Sequence, residues 1–341
     1  MTDRVRQITD GPAMSHPSYF LQSSFFPGGR EMFYTSYRTG EPQVWKTSLA
    51  TGEETQLTHG APIHPYSPAL HPDGQTLIVT RGGSLWAGNR CIFAAPDTEL
   101  GECSISPCGE CLTAAYKRGK ECGLVAGYFD GSGWRAIPFP RTVIHPQFHP
   151  LDPEWIEFAG DPAPRMHRVR RDGTGMECLY EHGNSEFVVH ETFLRSTGDL
   201  VFSVWPYKLC RMDWTTRHIE TITEYNAWHI APDRAGERIL CDTNHPDEGL
   251  QIIDVKTGAR RPLCLSQSSN QGTQWLKSTY ALAEDFASAR RNNLSWMENA
   301  ADTVYGPQYT HPHPSWSYEE DKVAFASDRT GVTQVYVVEV T

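Results

Sequence analysis

The 341-residue sequence contains no apolar run that approaches the roughly 18 residues of a membrane-spanning helix. It also has little positive charge, because 30 Lys and Arg stand against 41 Asp and Glu and give a formal net charge of −11. A chain this acidic is a poor non-specific binder of nucleic acid, which requires a basic surface. The first six residues lack the apolar core of a secretory signal. We therefore expect a cytoplasmic protein with no membrane or nucleic-acid partner.

A regular set of paired cysteines is lacking as well. The nine cysteines are an odd number spread along the chain, which argues against a disulfide scaffold and for a reducing compartment. Cys103, Cys108, Cys111 and Cys122 cluster, but their 4, 2 and 10 intervening residues match no standard zinc site. Free thiols are the simpler interpretation, and a structural zinc is the alternative.

What the sequence does contain is a repeat. Ser36-Tyr37-Arg38-Thr39-Gly40 recurs as Ser327-Asp328-Arg329-Thr330-Gly331, and each copy lies between two apolar segments. A third partial copy spans residues 252–258. The unit is typical of four short antiparallel strands joined by turns, which is the pattern of a propeller blade. The 28 glycines and 24 prolines, with 11% aromatic residues, fit such a turn-rich structure.

Seven such units can be placed along the chain. They start near Pro17, Pro62, Cys108, Val143, Val188, Trp228 and Pro312. The N-terminal residues 5–11 resemble residues 55–60, which form the fourth strand of the first unit, so they can complete the last blade. The sequence thus predicts an all-β, seven-bladed β-propeller closed by its N-terminal strand and forming one domain over residues 1–341.

A long insertion precedes the last unit, over residues 268–305. Part of it fits a helical period, with apolar positions such as Leu282 and Phe286. We predict a partly helical segment there. It either closes over the channel as a lid or packs on the rim of the ring.

Histidines occur at one position of the repeat, just before or within the innermost strand of six blades. They are His16, His64, His145, His190, His229 and the pair His311 and His313. The third blade has Glu110 near that point. Because innermost strands line the central channel, these side chains are expected to gather at one mouth, where they can bind a metal or transfer protons. Histidines that only form turns or caps are the alternative.

The strongest single motif is Gln308-Tyr309-Thr310-His311-Pro312-His313-Pro314-Ser315-Trp316. Residues i and i+2 of an extended strand point to the same side, so His311 and His313 can offer imidazole nitrogens to one ion. Pro312 between them stiffens the backbone.

At these residues the whole chain resembles the oligogalacturonate lyases of pectin degradation, which are cytoplasmic seven-bladed propellers. The resemblance implies a manganese site made of His229, Gln308, His311 and His313. It implies that His190, in a His-Glu pair with Glu191, is the catalytic base, and that Arg165, followed by Met166, is a second catalytic residue. His16, His64, His145 and Glu191 are weaker candidates for substrate contacts.

The implied reaction is the β-elimination of short 4-linked uronide oligomers, a step of carbohydrate metabolism. A divalent metal and an arginine can neutralise the substrate carboxylate, so that the weakly acidic C5 proton can be removed. A histidine is a suitable base, because its ordinary pKa lies near 6.5.

Four alternatives remain at this level. Glu191 can simply orient a ligand, and Arg165 can be a surface residue. Residues 158–162 depart from the His-Glu-Gly-Pro that members of this family often carry there, so the chain can be a lyase for a different uronide. It can also be a non-catalytic, TolB-like propeller that binds protein or glycan.

Overall fold

The computed structural model describes residues 4–161, 163–183, 186–243, 247–269 and 310–340. Strands and turns make up these ranges, and none of their residues is in a helix that could cross a membrane. The strands form seven antiparallel sheets of four strands each. These sheets are the blades of a β-propeller, so the predicted all-β, seven-bladed fold is confirmed.

In blades 1 to 6 the strands follow one another outward from the channel in chain order. Blade 1 contains β2 (Ser15–His16), β3 (Glu31–Ser36), β4 (Gln43–Ser48) and β5 (Glu54–Gln56). Blade 2 contains β6 (Ala69–Leu70), β7 (Leu77–Arg81), β8 (Ser84–Ala87) and β9 (Arg90–Ala94). Blade 3 contains β10 (Glu99–Ile105), β11 (Cys111–Arg118), β12 (Glu121–Tyr128) and β13 (Arg135–Phe139). Blade 4 contains β14 (Thr142–Phe148), β15 (Trp155–Asp161), β16 (Met166–Arg170) and β17 (Glu177–Cys178). Blade 5 contains β18 (Phe187–Phe193), β19 (Leu200–Trp205), β20 (Lys208–Met212) and β21 (Ile219–Thr223). Blade 6 contains β22 (Ala227–Pro232), β23 (Arg238–Thr243), β24 (Leu250–Asp254) and β25 (Arg260–Cys264).

Blade 7 joins the two ends of the chain. It contains β26 (Ser315–Trp316), β27 (Lys322–Ser327) and β28 (Gln334–Glu339), and β1 (Val5–Gln7) is its outermost strand. In that pairing Val5 lies opposite Val338 and Gln7 opposite Tyr336. The N-terminal strand thus closes the ring, as the sequence predicts.

The repeated sequence at the outermost strands forms the same pair of hydrogen bonds in blade 7 and in blade 1. In blade 7, Thr9 Oγ1 donates to Gln334 Oε1 at 2.6 Å and accepts the backbone N–H of Val335 at 2.9 Å. In blade 1, Thr58 Oγ1 donates to Gln43 Oε1 at 2.6 Å and accepts the backbone N–H of Val44 at 2.8 Å. The resemblance between residues 5–11 and 55–60 therefore encodes the same buried contact in both blades.

The hydrophobic core lies between neighbouring blades. The second strands β19 and β27 are almost entirely buried, whereas the outer strands β5 and β21 are largely exposed. Each blade therefore buries both faces against its neighbours. The interface between blades 7 and 1 follows the same rule, with Met32 and Tyr34 packed in one cluster with Val335 and Val337. Burial of these aliphatic and aromatic side chains stabilises the closed ring.

The predicted start of blade 3 is wrong. Its innermost strand begins at Glu99, and Cys108 lies in the turn that leads to β11. Blade 2 ends early because two hairpins with two-residue turns, at residues 82–83 and 88–89, join its strands. Glu110 is consequently exposed outside the channel, and Glu102 of β10 takes the position assigned to it.

Candidate functional site

A bulge in the innermost strand sets the channel residues of four consecutive blades. The pairing with the second strand skips two residues in β10, β14, β18 and β22. The skipped pairs are Gly101-Glu102, His145-Pro146, His190-Glu191 and Trp228-His229. His145 and His190 adopt left-handed backbone angles there, with φ of 56° and 58°. A bulge re-aims side chains, and such strain is typical of functional sites, so the four bulges gather polar groups at one level of the channel.

Three of the predicted metal ligands meet at this level. His229, His311 and His313 are buried, and one ring nitrogen from each lies within 4.8 Å of the others. The ring centroids of His229 and His313 are 4.0 Å apart, and those of His229 and His311 are 5.6 Å apart. Imidazoles at this separation can bind one divalent cation, and such side chains suit first-row transition metals.

Asp242 orients this cluster, and the sequence analysis missed it. Its carboxylate accepts the His229 Nδ1–H at 2.7 Å and the backbone N–H groups of His229 and His313 at 2.7 and 3.2 Å. A hydrogen bond to Nδ1 leaves Nε2 of His229 as the nitrogen with a lone pair. Burial raises the pKa of Asp242 well above its usual value, and the two backbone N–H groups oppose that rise. An acidic residue inside an otherwise apolar strand was the signal available in the sequence.

The histidines around the cluster are held neutral. Burial, followed by the charges of His229 and His311, lowers the pKa of His313 well below its usual value. Burial also lowers the pKa of His16 to about 4 and that of His64 to about 3. Metal ligation requires neutral imidazole, so these surroundings fit a cation site at neutral pH.

The predicted base, His190, lies against the cluster. Its ring centroid is 4.4 Å from that of His229 and 4.6 Å from that of Trp228. Burial and then the charges of His229 and His145 lower its pKa well below the usual value. Its Nδ1 makes no hydrogen bond to any residue that the structure describes. The lowered pKa favours the neutral ring, which is the form that a general base requires.

Arg165 is a buried channel residue and not a surface one. Its Nε donates to Glu191 Oε1 at 3.1 Å, and both side chains are almost fully buried. Burial raises the pKa of Glu191, but Arg165 and His145 outweigh that effect and hold it below the usual value. Glu191 is thus an ionised partner that positions Arg165 beside the predicted base.

A second buried carboxyl lies behind this pair. Gln147 Nε2 donates to Glu157 Oε2 at 3.4 Å and to the Glu191 backbone oxygen at 2.8 Å. Burial, and then the negative charge of Glu191, raises the pKa of Glu157 well above its usual value. The two carboxyls are therefore held in opposite protonation states, Glu191 charged and Glu157 neutral.

The remaining predicted substrate contacts surround the same level. The Nε2 of His145 hydrogen-bonds the Tyr19 hydroxyl at 2.9 Å, and Glu102 Oε2 accepts the His145 backbone N–H at 2.6 Å. The His16 ring packs on Tyr66 at a centroid distance of 5.2 Å, and His64 packs on the same ring at 6.5 Å. We call the seven histidines at this end of the channel the histidine ring. The ring consists of His16, His64, His145, His190, His229, His311 and His313.

Tyr19 and Phe20 fill the middle of the histidine ring, and the sequence analysis missed both. They lie in the segment between β2 and β3, and both are buried. Tyr19 contacts the rings of His145 and His313 at 5.3 and 5.2 Å, and Phe20 contacts that of His190 at 5.2 Å. Nothing in the repeat pattern marks this segment, because it crosses the channel outside any strand.

Two predictions fall partly or wholly outside the described residues. Gln308 lies there, and so does the insertion from residue 270 onward. The described residues on either side of that undescribed segment are in contact, since Ser268 Oγ donates to the Thr310 carbonyl immediately before His311. All nine cysteines are free thiols, and among described residues the only group of potential metal ligands is the histidine cluster, so no four-cysteine zinc site forms there.

The chain is similar over nearly its whole length to two curated lyases. It is 20% identical to the oligogalacturonide lyase of Pectobacterium atrosepticum, with 98% of this chain and 93% of the relative aligned. It is 21% identical to the oligogalacturonate lyase of Dickeya dadantii, with the same coverage. No protein-family profile matches the chain.

Solved structures give the same result for the fold. A structure of an oligogalacturonate lyase in complex with manganese superposes with a TM-score of 0.81 at 18% identity, covering 100% of this chain and 94% of that one. The oligogalacturonate lyase of Vibrio parahaemolyticus superposes with a TM-score of 0.78 at 17% identity and the same coverage. The resemblance that the motifs indicate is therefore confirmed: over its whole length the chain is similar to oligogalacturonate lyases and shares their fold.

Proposed function

We propose that this protein is a metal-dependent oligogalacturonate lyase that cleaves short 4-linked uronide oligomers by β-elimination. The observation that carries the proposal is the convergence of His229, His311 and His313 with His190 and the Arg165–Glu191 pair. The named relatives support the substrate class. The nine free thiols support a cytoplasmic location, where thiols stay reduced.

The metal in this proposal is manganese, held by His229, His311 and His313 and completed by Gln308. The fit rests on three buried imidazoles, of which that of His229 is oriented by Asp242. Manganese is bound in the related structure of similar fold. A divalent cation supplies Lewis-acid chemistry, which neutralises the uronate carboxylate and makes its C5 proton more acidic.

The protein's own residues perform the elimination around that carboxylate. His190 takes the C5 proton on Nδ1, and the C5–H electron pair forms the C4–C5 double bond. The C4–O bond breaks with its electron pair on the leaving oxygen, which takes up a proton from water or from the His190 imidazolium. Arg165, held by Glu191, places its guanidinium charge beside the carboxylate. The buried channel excludes bulk water, which strengthens these charge interactions.

Cleavage of digalacturonate and trigalacturonate tests the proposal. The unsaturated product absorbs in the ultraviolet, and its formation with manganese is expected to stop on addition of EDTA. His190→Ala is expected to lower kcat by about 10²–10⁴-fold, the usual contribution of a general base. His311→Ala is expected to abolish both metal binding and turnover.

The matched control is His218→Ala, which removes an exposed histidine outside the histidine ring. Its activity is expected to equal that of the wild type. Turnover that survives both EDTA and His311→Ala would refute a metal-dependent reaction. Metal binding without cleavage of either substrate would keep the site and redirect the search to another uronide.

A further inference from the structure

The other end of the channel contains a second cavity. The last residues of six innermost strands line it, and they are Leu70, Ile105, Phe148, Phe193, Pro232 and Trp316. The cavity has a volume of about 640 Å³, and we call it the far cavity. Small-molecule sites have volumes of about 300–1,000 Å³. The space is therefore large enough for a small oligosaccharide.

The Phe20 side chain lies between the far cavity and the histidine ring. Phe20 lines the far cavity and at the same time contacts the rings of His190 and His229, at 5.2 and 5.3 Å. No member of the histidine ring is among the residues that line the far cavity. The far cavity is therefore distinct from the histidine ring, although Gln147, Thr192 and Ser315 of its lining each lie two residues from a ring histidine.

The far cavity has an excess of positive charge, because two arginines and one glutamate line it. Arg195 lines it, is exposed, and makes no hydrogen bond or ion pair with any described residue. The Arg234 guanidinium donates to the Tyr318 carbonyl at 3.1 Å and has no carboxylate partner in the described part of the chain. Glu320, the acidic residue of the lining, already accepts the Arg234 backbone N–H at 2.6 Å and Arg238 Nη2 at 3.3 Å. In a chain with a net charge of −11, two such guanidinium groups in one cavity point to an anionic ligand.

The rest of the lining suits a sugar. Four serines line the cavity together with the aromatic residues Trp316 and Tyr318, and they are Ser104, Ser106, Ser315 and Ser317. Ser315 is 1% exposed, and its Oγ has no hydrogen-bond partner among the described residues. A buried hydroxyl without a partner is uncommon and indicates a missing hydrogen-bonding group. Sugar hydroxyls can supply that group.

We propose that the far cavity is a second binding site for an acidic sugar, whose carboxylate is bound by Arg195 and Arg234 and whose hydroxyls reach Ser315. The choice of a uronide as the ligand rests on the proposed function. The requirement for an anion rests on the cavity alone. None of the described predicted metal ligands lines the far cavity, so this site is expected to bind sugar without the metal.

Calorimetric titration with digalacturonate in EDTA tests the inference, since removal of the metal disables the histidine ring. Binding is expected to persist in the wild type. The double variant Arg195→Gln/Arg234→Gln is expected to bind at least about tenfold more weakly, a loss of about 1.4 kcal/mol. Arg30→Gln, which changes an exposed arginine outside the cavity, is expected to bind like the wild type. The methyl-esterified disaccharide, which has no charge, is expected to bind the wild type about tenfold more weakly than the acid.

Loss of all wild-type binding in EDTA would overturn the inference, and so would equal affinity of the double variant or of the ester. The ester comparison uses the wild type, so it stands even if the double variant fails to fold. Binding in EDTA without cleavage in manganese would refute the proposed function and keep this site. Cleavage in manganese without binding in EDTA would support the proposed function and refute this second site.

Discussion

The two ends of the channel are built from the same innermost strands but differ in how their polar groups are paired. At the histidine ring, the polar groups are buried and matched: Arg165 forms an ion pair with Glu191, and His229 forms a hydrogen bond with Asp242. At the far cavity, Arg195 is exposed and makes no ion pair with a described residue, and the Ser315 hydroxyl has no described partner.

The difference shows how a repeated fold acquires one reactive end. Bulges near the start of β14, β18 and β22 turn histidines inward, and the second strands supply partners such as Asp242. Preorganised, desolvated groups of this kind are required for chemistry. Unpaired groups at an open cavity suit reversible binding, because their partners arrive with the ligand.

The largest effect is expected from acid, which lowers the free energy of unfolding through the buried histidines of the histidine ring. His16 and His64 have folded-state pKa values of about 4 and about 3, below the roughly 6.5 of the unfolded chain. The unfolded chain therefore binds more protons, so stability present at pH 7 is lost as the pH falls from 6.5 toward these values. At about 1.4 kcal/mol per pKa unit, the loss amounts to several kcal/mol. Urea unfolding of the metal-free protein between pH 7 and 4.5 measures it.

The matched variant for this prediction is His64→Gln, which removes one of the two titrating rings. Its stability is expected to fall less steeply over the same pH range. Glu191, whose folded pKa is lowered, loses its contribution only below the pKa of about 4.3 that it has in the unfolded chain. A pH profile as steep in the variant as in the wild type would contradict this account.

The next largest effect is expected at the paired carboxyls of blades 4 and 5. Glu191→Gln leaves Arg165 buried without its counter-charge, which costs about 3–5 kcal/mol. Glu157→Gln replaces a carboxyl that is already neutral at pH 7, so it is expected to cost less than about 1 kcal/mol. Urea unfolding of both variants at pH 7 measures the difference. Similar losses for the two would show that the protonation states assigned here are wrong.

A smaller effect is expected from two aspartates at opposite ends of blade 6. Asp242→Asn weakens the orientation of His229 and is expected to lower manganese affinity by about 10–100-fold. Asp233→Asn removes a contact with Arg238 Nε at 2.7 Å, beyond the last residue of β22, and is expected to leave metal affinity unchanged. Calorimetric titration with manganese compares the two. Equal affinities would mean that Asp242 has no part in the metal site.

The sequence alone predicted the features that recur in the repeat and those that depend on residues close together in the chain. The ring, its closure by β1 and the position of the histidines follow from motifs that recur, and His311 and His313 are two residues apart. Asp242, Tyr19 and Phe20 escaped prediction because they reach the channel from a second strand and from a segment outside the repeat. The predicted position of blade 3 was wrong because a bulge in β10 and two short hairpins in blade 2 place Glu102, and not Glu110, at the level of the histidine ring.

The smallest effect is expected from two serines that occupy opposite ends of the channel. Ser15 Oγ donates to Ser36 Oγ at 2.9 Å beside His16, so Ser15→Ala is expected to cost about 1 kcal/mol. The Ser315 hydroxyl is buried without a described partner, so Ser315→Ala removes a desolvated group and is expected to leave the unfolding free energy within about 0.5 kcal/mol of the wild type. Urea unfolding of both variants without sugar compares them. An equal loss of unfolding free energy in the two variants would mean that the polar groups of the far cavity are paired as fully as those of the histidine ring. The contrast between a reactive end and a binding end would then have no physical basis.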